Sequence, residues 1–236
     1  MRILVACEES QRVTTELRKL GHSAFSCDLV PCSGGFPEWH IQGDVLPLLG
    51  GDCSFTTMDG KTHSICGKWD MIIAFPPCTY LTIAGTRHFS PKCNTPEKIA
   101  EREKLREDAA DFFLRFANAD CDRIAIENPV GYMSKRYKKP TQIIEPYLFA
   151  ESAEDSENYV TKRTCLWLKG LPPLKPTNKL PRPAPYGKYL AQCGKVKGIC
   201  WAMKVSGKNQ AERAKIRSKT FMGVARAMAN QWAGKG

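Results

Sequence analysis

Short apolar runs separated by stretches of helical periodicity set the narrowest limits on what this chain can fold into. Residues 2–6 form an apolar run that ends in small and polar residues, as a buried strand does. Val13, Leu17 and Leu20 then recur at helical spacing, with Gly21 where a helix ends. Residues 22–27 read as a second strand that ends at Asp28. Residues 69–75 read as a third, broken by Pro76-Pro77, and residues 122–126 as a fourth, stopped by Glu127-Asn128-Pro129. A long helix fits between the last two. Thr95 can cap it, Pro96 suits its first turn, and Leu105, Ala109, Phe112, Phe113 and Phe116 make its apolar stripe. Strands alternating with helices predict an α/β chain with a mostly parallel, doubly wound sheet.

The remaining stretches are weaker in pattern. Residues 51–68 read as a polar hairpin turning at Asp59-Gly60. Proline is dense over residues 171–186, which argues against helix or central strand there, and residues 219–232 return to helical spacing. At 236 residues the chain has room for one domain and a small appendage. The expected division is a core over 1–170, a short basic segment over 171–217 and a C-terminal helix over 218–236.

Apolar runs are too short for a membrane span, and the first ten residues are too short in apolar content and too acidic for a secretory signal. Eleven cysteines, an odd number without paired spacing, read as reduced thiols of a cytoplasmic protein. Cys53, His63 and Cys66, or Cys193 and Cys200, lack the spacing of a standard zinc knuckle, so no metal is expected. His22, His40 and His88 read as core or solvated histidines.

The net charge of +11 has a location. Residues 171–219 hold twelve Lys or Arg against one acid, Glu212, so the rest of the chain sums to zero. A neutral body with one basic stretch points to a polyanion, with nucleic acid the first candidate; the plain alternative is a solvated surface. Lys175, Lys179, Arg182, Lys188, Lys195 and Lys197 are the candidate phosphate contacts, with Tyr186, Tyr189 and Trp201 interleaved as stacking candidates.

In a doubly wound sheet, ligands gather beyond the carboxyl ends of the strands. Those ends carry Cys7-Glu8-Glu9-Ser10, Asp28, Pro76-Pro77-Cys78 and Glu127-Asn128-Pro129, which brings a thiol and several carboxylates to one rim. Two prolines stiffen the turn before Cys78, a residue type suited to nucleophilic addition at an electron-poor carbon.

The loop Phe75-Pro76-Pro77-Cys78-Thr79-Tyr80-Leu81-Thr82-Ile83-Ala84-Gly85 resembles the catalytic loop of the cytosine-5 DNA methyltransferases. Ile126-Glu127-Asn128-Pro129 resembles that family's Glu-Asn motif, and residues 161–170 its later strand with a Gln-x-Arg-x-Arg start, where only Arg163 falls on an arginine. Asp28 matches the acid that holds the cofactor ribose, Gly43-Asp44-Val45 the segment that contacts adenine, and residues 218–229 the final motif, in family order over nearly the whole chain. The resemblance implies a Rossmann-like fold and methyl transfer from S-adenosylmethionine to carbon 5 of a cytosine flipped out of duplex DNA. It implies Cys78, Pro77, Glu127, Asn128 and Arg163 as the catalytic set: Cys78 would add to carbon 6, Glu127 would protonate ring nitrogen 3, and Arg163 would stabilise the adduct. Ala6, Cys7, Ser10, Asp28, Asp44, Val45, Pro77 and Thr220 would hold the cofactor. The compact size is similar to bacteriophage and prophage members, which implies a bacterial cytoplasm.

Two departures from the family are plain. Its first loop is glycine-rich, whereas residues 5–10 here read Val-Ala-Cys-Glu-Glu-Ser. Non-glycine residues resist positive φ, and two carboxylates repel a third. Glu8 and Glu9 would therefore point outward, or one would pair with the cofactor's ammonium or sulfonium. The recognition region is also short, which implies short or relaxed sequence specificity. An amino-group methyltransferase is rejected, since Phe75 precedes Pro-Pro and Cys78 follows it. The same chemistry on free cytosine nucleotides or RNA stays open, as does a nucleic-acid-binding protein without turnover.

Overall fold

The computed structural model describes residues 1–191 and 194–234. β1 (Arg2–Ala6) leads through residues 7–11 into α1 (Arg12–Lys19), which ends where Gly21 takes a left-handed φ of 83°. β2 (Ser23–Asp28) and β3 (His40–Gln42) follow, then an antiparallel hairpin of β4 (Cys53–Thr56) and β5 (Thr62–Ile65). β6 (Met71–Ala74) runs into the proline turn and a 3-10 segment, Ile83–Phe89, before α2 (Pro96–Ala117). β7 (Ile124–Pro129), the short α3 (Met133–Arg136), β8 (Gln142–Ile144) and β9 (Thr164–Lys169) come next. Beyond them lie a small hairpin of β10 (Lys188–Leu190) and β11 (Val196–Gly198), the short α4 (Trp201–Lys204), α5 (Gln210–Ser218) and α6 (Met222–Ala233).

Seven strands form one sheet in the order β3-β2-β1-β6-β7-β9-β8. Its pairs are parallel except those of β9, which runs antiparallel to β7 and β8. The protein is thus α/β with a mostly parallel central sheet. From β1 the chain winds outward to β2 and β3, then returns to lay β6 along the other side of β1. That reversal opens a crevice beyond the carboxyl ends of β1 and β6.

Both faces of the sheet are covered, which is why β1 reads as an unbroken apolar run. Ile3 and Val5 pack into one layer with Val13 and Leu17 of α1 and Val224, Met228 and Trp232 of α6. Leu4 and Ala6 pack into the other with Phe113 and Phe116 of α2 and with Trp167, which meets the Phe113 ring edge-on at 5.1 Å. The stripe of α2 centres on Ala110, Phe113 and Phe116, while Phe112 and Ala109 flank it half-buried. Full burial of either phenylalanine contributes roughly 2–3 kcal/mol.

Four expectations shift. β7 does not stop before Glu127-Asn128-Pro129 but runs through it, because β9 pairs Leu166, Cys165 and Thr164 with those residues. The third strand is confined to Met71–Ala74, without the flanking residues at either end. The boundary at 217/218 falls inside α5, and the helical spacing over 219–232 resolves into α6 alone, beginning at Met222. No helix among the described residues is long and apolar enough to cross a membrane.

Candidate active site

A cleft of about 520 Å³ opens beyond the carboxyl ends of β1, β2, β6 and β7. The loop after β1 contributes Cys7, Glu8, Glu9 and Ser10; β2 contributes Asp28; the turn after β6 contributes Pro77 and Cys78; β7 contributes Glu127. Lys162 and, from α5 and the residues after it, Lys215, Arg217 and Thr220 line it as well.

Cys78 stands on a turn held from several sides. Its carbonyl accepts from the Leu81 and Thr82 amides at 3.0 and 3.1 Å, closing a tight turn. The Leu81 carbonyl accepts from the Tyr132 amide at 2.7 Å, and the Ile83 amide donates to the Val130 carbonyl at 3.1 Å. Gly131 makes this clasp possible: a Cβ there would sit 1.9 Å from the Leu81 carbonyl oxygen. Asn128, buried beneath, donates its amide to the Pro76 carbonyl at 2.8 Å. Among the residues expected to be catalytic, Asn128 thus holds the turn rather than facing the cleft.

Glu127 bears on Cys78 across the cleft. The Cys78 side chain is open to the cleft mouth, yet the surrounding walls desolvate its thiolate and raise its pKa above the usual 9.0; the nearby Glu127 carboxylate raises it further. Lys162 and Arg217 act in the opposite sense. Burial raises the Glu127 pKa too, against Lys162 and the Thr164 hydroxyl. Lys162 is therefore the cation that acts on both groups.

Arg163 does not share the cleft; it is exposed, and Lys162 lines the cavity instead. Successive side chains of an extended segment point to opposite sides. Lys162 and Thr164 both face Glu127, so Arg163 faces away. The Lys162 ammonium donates to the Arg217 carbonyl at 2.9 Å, which ties it to the C-terminal end of α5.

The loop after β1 reaches its shape without glycine. Cys7 and Gln11 adopt φ values of 58° and 55°, at a cost on the order of 1–2 kcal/mol each. The Gln11 side chain stabilises the second of these, accepting from the Phe36 amide at 3.1 Å and donating to the Phe36 carbonyl at 2.8 Å. Neither glutamate points outward. Glu8 is buried and caps α1, accepting from the Val13 and Thr14 amides at 2.6 and 3.2 Å and from the Thr14 hydroxyl at 2.7 Å. Burial still pushes its pKa up to about 7. Glu9 lines the cleft, its carboxylate 3.6 Å from the Lys215 ammonium.

The expected cofactor residues divide. Cys7, Ser10, Asp28, Pro77 and Thr220 line the cleft. Asp28 accepts from the Val30 amide at 3.2 Å, and burial raises its pKa. Ala6 is fully buried in β1, Val45 is buried in the core, and Asp44 is exposed; none of the three lines the cavity. Asp44 instead accepts from the Leu46 amide at 3.0 Å, starting the turn that follows.

The basic segment is split in use. Lys175, Lys179, Lys188, Lys195 and Lys197 are exposed, the last three on or beside the β10–β11 hairpin. Arg182 is committed to Glu145 at 3.1 Å. Trp201 packs edge-on against Phe221 at 4.9 Å, which removes it as a stacking platform, while Tyr186 remains half exposed. Lys215 and Arg217 belong to the cleft, and nothing in a one-dimensional count of charge separates them from the others.

His40 is a satisfied core histidine, bonded to the Ser26 hydroxyl at 2.8 Å and the Val30 carbonyl at 3.0 Å. His22 bonds the Ala233 carbonyl at 2.7 Å. Among the described residues, no group of three or more His, Cys, Asp or Glu is arranged to hold a metal ion; Cys193 lies outside those residues. No family model matches the chain, and no curated protein matches it.

Proposed function

We propose that the cleft transfers a methyl group from S-adenosylmethionine to carbon 5 of cytosine in DNA. The observation that carries this reading is the convergence of Cys78, Glu127 and Lys162 on one cavity at the switch point of the sheet. A thiol beside a carboxyl whose pKa is raised is the pairing that cytosine activation requires.

The roles follow from the chemistry of the groups. The Cys78 sulfur forms a bond to carbon 6, while Glu127 gives its proton to ring nitrogen 3, so carbon 5 becomes nucleophilic. Lys162 and Arg217 favour the thiolate against its burial. Once carbon 5 carries the methyl group, its proton leaves to solvent, the sulfur–carbon 6 bond breaks to release the Cys78 thiolate, and ring nitrogen 3 returns its proton to Glu127, which restores the enzyme.

The residues present fit the cofactor. The cavity is of the size that small-molecule sites have, and the Asp28 carboxylate borders it at the end of β2, where a ribose hydroxyl can donate to it. Asp28, Ser10 and Thr220 would hold S-adenosylmethionine, which when bound supplies an electrophilic methyl group. Cys7 and Gln11 supply the positive φ that the missing glycines would have given.

A second reading, the same chemistry on free cytosine nucleotides or RNA, is favoured by the cations of the cleft itself. Lys162, Lys215 and Arg217 can neutralise a single phosphate without an extended DNA surface. Mass spectrometry of nucleosides after incubation with labelled cofactor and DNA, RNA or free nucleotide separates the two. DNA containing 5-fluorocytosine should trap a covalent adduct with the wild type and none with Cys78→Ala; methyl transfer undiminished in Cys78→Ala would sink the mechanism.

A further inference from the structure

We propose that Glu9 and Lys215 together receive the α-amino-acid end of the adenosyl ligand, the ammonium going to Glu9 and the carboxylate to Lys215. This rests on the methyltransferase reading above and goes beyond it by assigning a recognition site for the ligand's zwitterion.

The starting point is a carboxylate with unmet demand. Both Glu9 side-chain oxygens are buried, and neither has a hydrogen-bond partner. Buried polar atoms are normally paired, and an unpaired charged one is costly. The Lys215 ammonium, at 3.6 Å, is near enough to attract but too far for a hydrogen bond. The pair joins two walls of the cleft, since Glu9 follows β1 and Lys215 is on α5.

Other groups of the first loop are already committed. The Glu8 carboxylate is spent on the start of α1. The Cys7 and Glu8 amides both donate to the Cys27 carbonyl, at 2.7 and 3.3 Å, so they offer nothing to a ligand carboxylate. Lys215, half exposed on α5, is the cation facing Glu9 and can pair with an entering carboxylate. An amino acid carries one charge of each sign on a single carbon. Inserted between Glu9 and Lys215, it replaces one loose ion pair with two charge-assisted contacts.

The test is calorimetric, with S-adenosylhomocysteine and 5′-methylthioadenosine, which share the adenosyl thioether and differ in the amino-acid end. The wild type should bind S-adenosylhomocysteine more tightly by about ten-fold or more. Glu9→Gln and Lys215→Met should each remove most of that preference and leave methylthioadenosine binding within about two-fold. Thermal melts check the fold, and Lys215→Met, on an exposed helix face, decides the matter if Glu9→Gln is unstable. An unchanged preference in the folded variants overturns the zwitterion site and leaves the methyltransferase reading standing. Binding of neither ligand to the wild type overturns both.

Discussion

The Asn128 amide donates to the Pro76 carbonyl at 2.8 Å, joining the strand that carries Glu127 to the turn that carries Cys78. One buried hydrogen bond thereby fixes the separation of the two groups on which the proposed chemistry depends. Asn128→Ala leaves a buried carbonyl unpaired, and unfolding by denaturant should show a loss of about 1–3 kcal/mol. Methyl transfer should fall further than cofactor binding, because the variant loosens Cys78 relative to Glu127 and leaves Asp28 alone.

The cleft's charges set the reactivity of Cys78 with a definite sign. Alkylation by iodoacetamide needs the thiolate, which burial and Glu127 disfavour and Lys162 favours. Glu127→Gln removes a group that raises the Cys78 pKa, so labelling at pH 8 should quicken, by roughly two- to ten-fold. Lys162→Met should slow it. Peptide mass spectrometry reads Cys78 separately, with exposed Cys66, Cys93 and Cys200 as references in the same digest. Identical pH profiles in all three proteins would mean that the groups are not coupled.

Gly131 lies against the Cys78 turn with no room for a side chain. Gly131→Ala must push the Leu81 carbonyl away and break the clasp made by Tyr132 and Ile83. A stability loss of roughly 1–3 kcal/mol is expected in chemical denaturation. Covalent trapping on 5-fluorocytosine DNA should weaken with it. A variant as stable and as reactive as the wild type would show that the turn is not held this way.

Glu8 and Glu9 should behave as opposites despite being neighbours. Glu8→Ala removes the carboxylate that caps α1 and should cost about 1–2 kcal/mol. The Glu8 carboxyl ionises at about 7 in the fold and 4.5 as the ordinary value, so the folded state holds its proton more strongly. Its contribution is complete below pH 4.5 and is lost as pH rises through about 7. Thermal melts should therefore show Glu8→Gln closing on the wild type between those limits. Glu9→Ala should leave the melting temperature nearly unchanged, and a large loss would mean that Glu9 is structural.

The hairpin lysines are predicted to act through phosphate charge alone. Lys195→Ala and Lys197→Ala together should weaken binding to all DNA sequences alike and flatten the salt dependence by about one unit per lost phosphate contact. Filter binding across a salt series measures this. A salt-independent affinity in the wild type would make the hairpin an ordinary solvated surface.

Strand and helix were legible because each depends on a short-range pattern. Residues buried on both faces must be apolar at every position, so β1 and β6 show as continuous runs, and α2 shows as a stripe with Pro96 at its start. The end of β7 was hidden, since pairing of Glu127-Asn128-Pro129 depends on a strand that begins at Thr164. The glycine rule for the first loop was also overridden: Gln11 holds a left-handed φ through Phe36, a residue that local pattern cannot associate with it.

Strand direction and the position of punctuating residues are one-dimensional properties, and they are enough to place Cys7, Asp28, Cys78 and Glu127 at the strand ends of an α/β chain. That Lys162 faces the cleft and Arg163 does not came from long-range packing alone. It alone distinguished Glu8, whose carboxylate caps α1, from Glu9, whose carboxylate has no hydrogen-bond partner, and brought α5 to the cleft. Which way a side chain faces is set by elements packed against it from far along the chain, and neighbouring residues of one charge are interchangeable until that packing distinguishes them.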